Sequence, residues 1–210
     1  MERVRRTLLR DTAHQVIRDA IVRGDLAPGS VVRDADLADQ LGLSRAPVRD
    51  ALARLADEGL IETKPQSHTR VTPLHPRDVR DAAAVVRAMH ELAARTGVAR
   101  LTDADCAEMA AANARFAAAA GAGDVDAALR ADDELHDALV RACGNRAVAA
   151  TIARYTPLIR RLERIRFGHG AGHRSAGLHD RLIQACRARD ADAATAVTTE
   201  IWRELEELAD

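Results

Sequence analysis

Aromatic side chains are nearly missing from this sequence: one Trp, one Tyr and two Phe in 210 residues. A ligand site built on ring stacking is thereby disfavoured. Cysteine is also sparse. Cys106, Cys143 and Cys186 are odd in number, far apart and form no Cys-x-x-Cys pair. That excludes a disulfide framework and a thiolate metal site, suits a reducing compartment, and leaves the three as small buried apolar residues. No run of about 18 apolar residues occurs, so no membrane span is expected. The first six residues, MERVRR, carry charge with no apolar stretch behind them, so no signal peptide is expected and a cytoplasmic location follows. Neither sign of charge dominates. The net charge is −1; residues 1–76 carry 12 basic and 11 acidic side chains, and residues 77–210 carry 19 and 21. A generally basic surface is excluded, and any contact with nucleic acid must come from local placement of arginines.

What the sequence has is alanine, in runs such as 82–84 and 117–120, within a 47% hydrophobic composition. Ala, Leu and Arg favour helix, so a mainly α protein is expected. A first helix spans 7–23, with Leu8, Val16, Ala20 and Ile21 as its apolar stripe, and stops at Gly24. Pro28-Gly29 marks a turn. Asp34 opens a short helix with Leu37, Ala38 and Leu41 inward, and Gly42 ends it. Ser44 is placed to cap a third helix over 45–58 whose inner face is Val48, Ala51, Leu52 and Leu55. Extended stretches at 60–63 and 69–72 flank a turn at 64–68. Three helices followed by a hairpin is the winged helix-turn-helix order. Pro73 and Pro76 bracket a linker, after which helices are expected near 77–99, 103–121, 124–142, 146–167, 175–188 and 190–208, with caps at Thr102, Asp124, Ser175 and Asp190. The expected architecture is a winged helix-turn-helix over 1–75 and an antiparallel helical bundle over 76–210.

The segment SRAPVRDAL, 44–52, has a physical logic. Ser44 caps the helix, and Pro47 falls in the first turn, where a missing N–H costs nothing. Arg45, Arg49 and Arg54 project away from the apolar face. The N-terminal end of such a helix enters the major groove, where arginine can bond guanine through two parallel hydrogen bonds. The run from Ile21 through Gly24, Leu26, Pro28-Gly29, Leu37-Ala38, Leu41-Gly42-Leu43-Ser44-Arg45, Pro47-Val48-Arg49, Ala51-Leu52, Leu55 and Gly59-Leu60 resembles the GntR family of bacterial regulators over about 60 residues. The resemblance implies DNA contact by Arg45 and Arg49, with Arg33 near phosphate. Lys64, His68 and Arg70 are candidates on the wing. There the chain departs from the family: Ser67-His68 stands where Arg-Gly is usual, and His68 tolerates positive φ less well than glycine.

Residues 77–208 resemble the C-terminal FCD domain of the FadR subfamily, on Arg87, Ala93-Ala94, Asp132-x-x-Leu135-His136, Gly144-Asn145, His179 and Asp192-Ala193-Ala194. The resemblance implies a dimerising helical bundle with a ligand cavity. Asp132 and His136, four apart on one helix, share a face and can chelate a divalent metal such as Zn, Ni or Mn. His179 matches a further ligand of the subfamily, and Glu200 stands at the remaining position. A metal with open positions attracts a small carboxylate or hydroxy-acid. Arg87, Arg130, Asn145 and Arg160 are the expected effector contacts. His90, one turn after Arg87, either faces the cavity or packs. The reading that results is a homodimeric regulator of operator DNA. The alternatives are a metal-dependent enzyme acting on a small organic acid, and a regulator whose metal is structural or absent. No general base or nucleophile beside the ligands supports the enzyme.

Overall fold

Residues 4–64, 68–167 and 172–207 are described by the computed structural model, and the chain divides into two units, Met1–His75 and Pro76–Asp210. In the first, α1 (Val4–Arg23), α2 (Asp34–Leu41) and α3 (Arg45–Asp57) accompany three short strands, β1 (Val31–Val32), β2 (Ile61–Lys64) and β3 (His68–Val71). The strands form an antiparallel sheet in the order β1-β3-β2. Gly42 makes the tight turn between α2 and α3. Its φ of 63° is left-handed, a conformation glycine adopts without a Cβ penalty. Val48, Ala51, Leu52 and Leu55 of α3 are buried together with Leu37 and Ala38 of α2, Leu60, Ile61 and Val71.

Two local expectations need correction. Of the stripe expected on α1, Ile21 is buried, Val16 is exposed and Ala20 only partly covered, and the Leu8 side chain lies outside the described residues; Ala13, His14 and Ile17 complete the inward face. The stripe was obscured because a polar residue, His14, holds one inward position. The hairpin pairs Ile61 with Val71 and Lys64 with His68, and it gains β1, a two-residue strand that carries no sequence pattern of its own. Residues 65–67, including Ser67 at the wing tip, lie outside the described set.

The second unit is built from α4 (Pro76–Gly97), a 3-10 turn (Val98–Arg100), α5 (Asp103–Ala122), α6 (Val125–Cys143), α7 (Arg146–Phe167), α8 (Gly172–Arg187) and α9 (Ala191–Glu207). Polar caps set their starts. Thr102 and Asp105 form a reciprocal capping box on α5, Asp124 accepts from the Ala127 N–H, and Asp190 accepts from the Ala193 N–H. Ser175, an expected cap, lies inside α8. Ser44 stands at the N-cap of α3, but its side chain makes no capping bond. Gly97 lets α4 approach α6: a Cβ there would lie 2.8 Å from the Leu139 carbonyl oxygen. One apolar cluster joins α4, α5, α6, α8 and α9, and a second joins α4, α6, α7 and α9. Asp132 and His136 are buried on α6, whereas Arg130, Glu134, Asp137 and Arg141 of the same helix are exposed.

Candidate nucleic-acid interface and metal centre

The first turn of α3 presents Arg45 and Arg49, one helical turn apart, with 63% and 73% of their side chains exposed. Asp34, the first residue of α2, holds Arg45: Nη2 donates to Oδ1 at 2.9 Å and Nε to Oδ2 at 3.2 Å. Arg49 Nε lies 4.0 Å from the same carboxylate. The other expected contacts spread around this pair. Ser44 is exposed, and Pro47 is half-buried in the same turn. Arg33 is exposed, with Nη1 3.6 Å from Asp36. Arg70 bonds Glu62 across the hairpin, and His68 begins β3, half-buried. The Lys64 side chain lies outside the described residues. Arg54 faces elsewhere. It reaches Asp11 at 3.5 Å and Glu58 at 3.4 Å, and so ties α3 to α1. Beside it His14 is buried with Nε2 2.9 Å from Glu58 Oε1. Burial lowers the His14 pKa, and Glu58 offsets part of that.

In the second unit α6 turns Asp132 and His136 inward with Leu135 and Leu139, and α8 brings His179 against them. The three side chains are buried, and one ligand-capable atom from each lies within 4.8 Å of the others. His179 Nε2 is 3.3 Å, and His136 Nε2 3.8 Å, from Asp132 Oδ1. His179 Nδ1 is 3.1 Å from Asn113 Oδ1, whereas its buried Nε2 has no hydrogen-bond partner. An unpartnered ring nitrogen beside a carboxylate oxygen and a second imidazole is the donor set a divalent cation takes, so these residues fit one. Burial drives the His136 pKa down to about 4, against the pull of Asp132. Neutral imidazole is the ligand form. Burial pushes the Asp132 carboxyl up, but Arg160, His136 and His179 together outweigh it and hold it well below the usual carboxylate range.

Arg160 on α7 is buried and heavily engaged. Nη2 donates to Asp132 Oδ2 at 2.6 Å and to Asp133 Oδ1 at 2.5 Å, Nε donates to Asp133 at 3.1 Å, and Nη1 donates to Glu163 at 2.5 Å. Burial raises Glu163 to about 7. Glu200 does not join the cluster: it is exposed and bonded to Arg181 at 2.9 Å. The phase of α9 explains this. Ala194, Val197, Thr198 and Trp202 are its buried positions, and Glu200, two residues from both Thr198 and Trp202, lies on the other side of the helix. Asn145 caps α7, with Oδ1 accepting from the Ala147 N–H at 3.0 Å. Arg130 is exposed on α6. Arg87 is partly buried and bonds Glu91, which also accepts from Thr199 of α9. Of the four expected effector contacts, Arg160 touches the cluster, through Asp132.

Three residues near the centre were not singled out as site residues from sequence: Asn113, Trp202 and, beyond the open question of its packing, His90. His90 is buried, 5.4 Å ring to ring from His136, and stacks on Trp202 at 4.8 Å; Trp202 Nε1 is buried without a partner. Burial, then His136, hold His90 well below the usual histidine range. Asn113 had a readable signal: an amide in register with Met109, Ala112 and Phe116 on the inner face of an alanine-rich helix.

Residues 80–204 match the FCD domain family, and residues 9–71 match the family described as bacterial regulatory proteins, gntR family. A helix-turn-helix transcriptional regulator from the TAR-I ttuE-ttuC' intergenic region of Agrobacterium vitis is 33% identical over 132 residues, 61% of this chain and 77% of that protein. The transcriptional repressor RspR of Escherichia coli is 24% identical over 156 residues, 74% and 68% of the two chains. Among solved structures, McbR/YncC of Escherichia coli has the same fold, with a TM-score of 0.83 at 20% identity over 93% of this chain and 94% of that one. No helix among the described residues is long and apolar enough to cross a membrane.

Proposed function

Since the chain belongs to the gntR family of bacterial regulatory proteins, with an FCD domain, and is a transcriptional regulator rather than an enzyme, we propose that it works in the cytoplasm as a homodimer on operator DNA, under control of a small carboxylate or hydroxy-acid bound at or beside a divalent metal. The observation that carries the DNA half is the exposed Arg45/Arg49 pair at the start of α3. The fork that Arg45 presents to Asp34 is the geometry that meets the two acceptors on the major-groove edge of guanine. Two copies would set two such helices on the half-sites of a near-palindromic operator.

The second half rests on the buried, unpartnered Nε2 of His179 facing Asp132. Asp132, His136 and His179 would hold the cation, and the ion would supply a Lewis-acidic position for one end of the acid. With Glu200 turned outward, three protein ligands leave positions open for exogenous oxygen donors. The carboxylates around Arg160 already use most of its donors, so its part is to steady Asp132 rather than to clamp an incoming acid. Control requires that the acid bind the DNA-competent and DNA-free arrangements with different affinity.

A gel-shift series on the DNA upstream of its own gene tests the reading, at moderate salt, with and without added Zn. Sequence-specific retardation that small carboxylates alter is the expected result. Only nonspecific retardation would sink the DNA half. Elemental analysis of untagged protein tests the other half, which a metal stoichiometry near zero would remove.

A further inference from the structure

Asn113 has its amide orientation fixed by its surroundings. Nδ2 donates to the Ala176 carbonyl oxygen at 3.1 Å and to Asp180 Oδ1 at 2.7 Å. A carbonyl can only accept, so the nitrogen end of the amide must face α8 there, and Oδ1 is the end left for His179 Nδ1 at 3.1 Å. An amide oxygen can only accept in turn. Asn113 Oδ1 thus favours a proton on His179 Nδ1, against the competing acceptor Asp132 Oδ1, which lies 3.3 Å from Nε2 on the other side of the ring; with the proton on Nδ1, the Nε2 lone pair is turned into the site. The ring is fixed from two sides. Ala176 and Asp180 lie on its own helix, three residues before it and one after, while Asn113 reaches across from α5 and is itself buried. The Phe116 ring, one turn along α5, lies edge-on 5.0 Å from the imidazole and leaves little room for rotation.

We propose that Asn113, held by Ala176 and Asp180, is a positioning residue of the centre: it selects the His179 tautomer and orientation that put Nε2, not Nδ1, into the site before any cation arrives. The inference rests on the metal reading above, but it makes its own claim about the empty protein. Partners of this kind change metal affinity by about 10–100-fold when removed. A polar strut that only joined α5 to α8 would leave the imidazole free to choose its tautomer.

Two measurements test it. Long-range nitrogen–proton correlation NMR on the metal-free protein at about pH 8 should show His179 as the Nδ1–H tautomer; an Nε2–H signature overturns the proposal. Competition titration with Zn should then show Asn113→Leu weakened about 10–100-fold, with the operator complex of the metal-free protein unchanged. Leucine at 113 binding Zn as tightly as the parent overturns the proposal as well. If the parent itself takes up no Zn, the metal reading falls, and the tautomer of His179 alone decides the positioning role.

Discussion

Arg49 and Arg33 are both exposed arginines of the first unit, yet they stand to lose different things on truncation. Arg49 projects from the first turns of α3, only 4.0 Å from the carboxylate that holds Arg45, so on the proposed operator the two would form one reading edge. Arg33 stands just before α2 and pairs with Asp36. Arg49→Ala should cost about 1–3 kcal/mol in specific operator binding and relax preference at one base position. Arg33→Ala should weaken all sequences alike and lower the salt slope by about 1. Gel shifts over a salt series, on operator and scrambled DNA, separate them; equal losses on both DNAs for Arg49→Ala would remove it from base reading. Glu163 makes a second residue-scale case. Burial lifts its pKa from 4.5 to about 7. Raised in the fold, this carboxyl favours folding below pH 4.5, and that contribution is lost as pH climbs through about 7. Glu163→Gln keeps an acceptor for Arg160 but never ionises. Urea unfolding should therefore show the variant gaining on the parent between pH 5 and pH 8; a constant difference would place the carboxyl's titration outside that window.

His14 links α1 to the end of α3 through Glu58, beside the bridge from Arg54 to Asp11. Burial dominates its environment and depresses its pKa below 6.5. A histidine depressed in the fold contributes stability above pH 6.5 that is lost as pH falls through its folded value. Thermal melts of the protein should show the first unit weakening below pH 6.5, and His14→Gln should flatten that slope. The same residue shows why some elements were readable in the sequence and others were not. The inner face of α3 is unbroken apolar, so periodicity alone identified it, and Gly42 marked the turn before it. On α1 the inward set includes His14, a residue type the hydrophobic pattern discounts, and the stripe was placed on exposed Val16 instead. Strand β1 was invisible because two residues carry no period. On α9 the error was one of phase. Thr198 and Trp202 face inward, and that phase turns Glu200, expected as a ligand, outward. Asp132 and His136 share a face by the i, i+4 rule and stand in the motif that carries the resemblance, whereas Asn113, though in register with the inner face of α5, gains its partners only once α5 packs against α8.

At the scale of the molecule, the question is whether the centre in the second unit speaks to the arginines of the first. The chain supplies its own reporter. Trp202 is the sole tryptophan, buried, stacked on His90 and 6.1 Å ring to ring from His136. A paramagnetic divalent ion such as Ni held by Asp132, His136 and His179 would lie within a few side chains of the indole, so titration of the metal-free protein should quench its emission to a one-to-one end point. His179→Ala should abolish the end point. The same signal then measures coupling. If loading with Ni changes operator affinity by some factor, saturation with operator must change Ni affinity by that factor, because the two ligands share one thermodynamic cycle. A regulator controlled from this centre should show a factor of about 5–150 in both directions, matched within error. Quenching unchanged by operator, together with operator binding unchanged by Ni, would mean that the ion is held equally well in both arrangements and only supports the fold. The organic acid would then have to carry the differential affinity by itself, and the same two titrations repeated with a bound acid would show the matched factor the ion lacked.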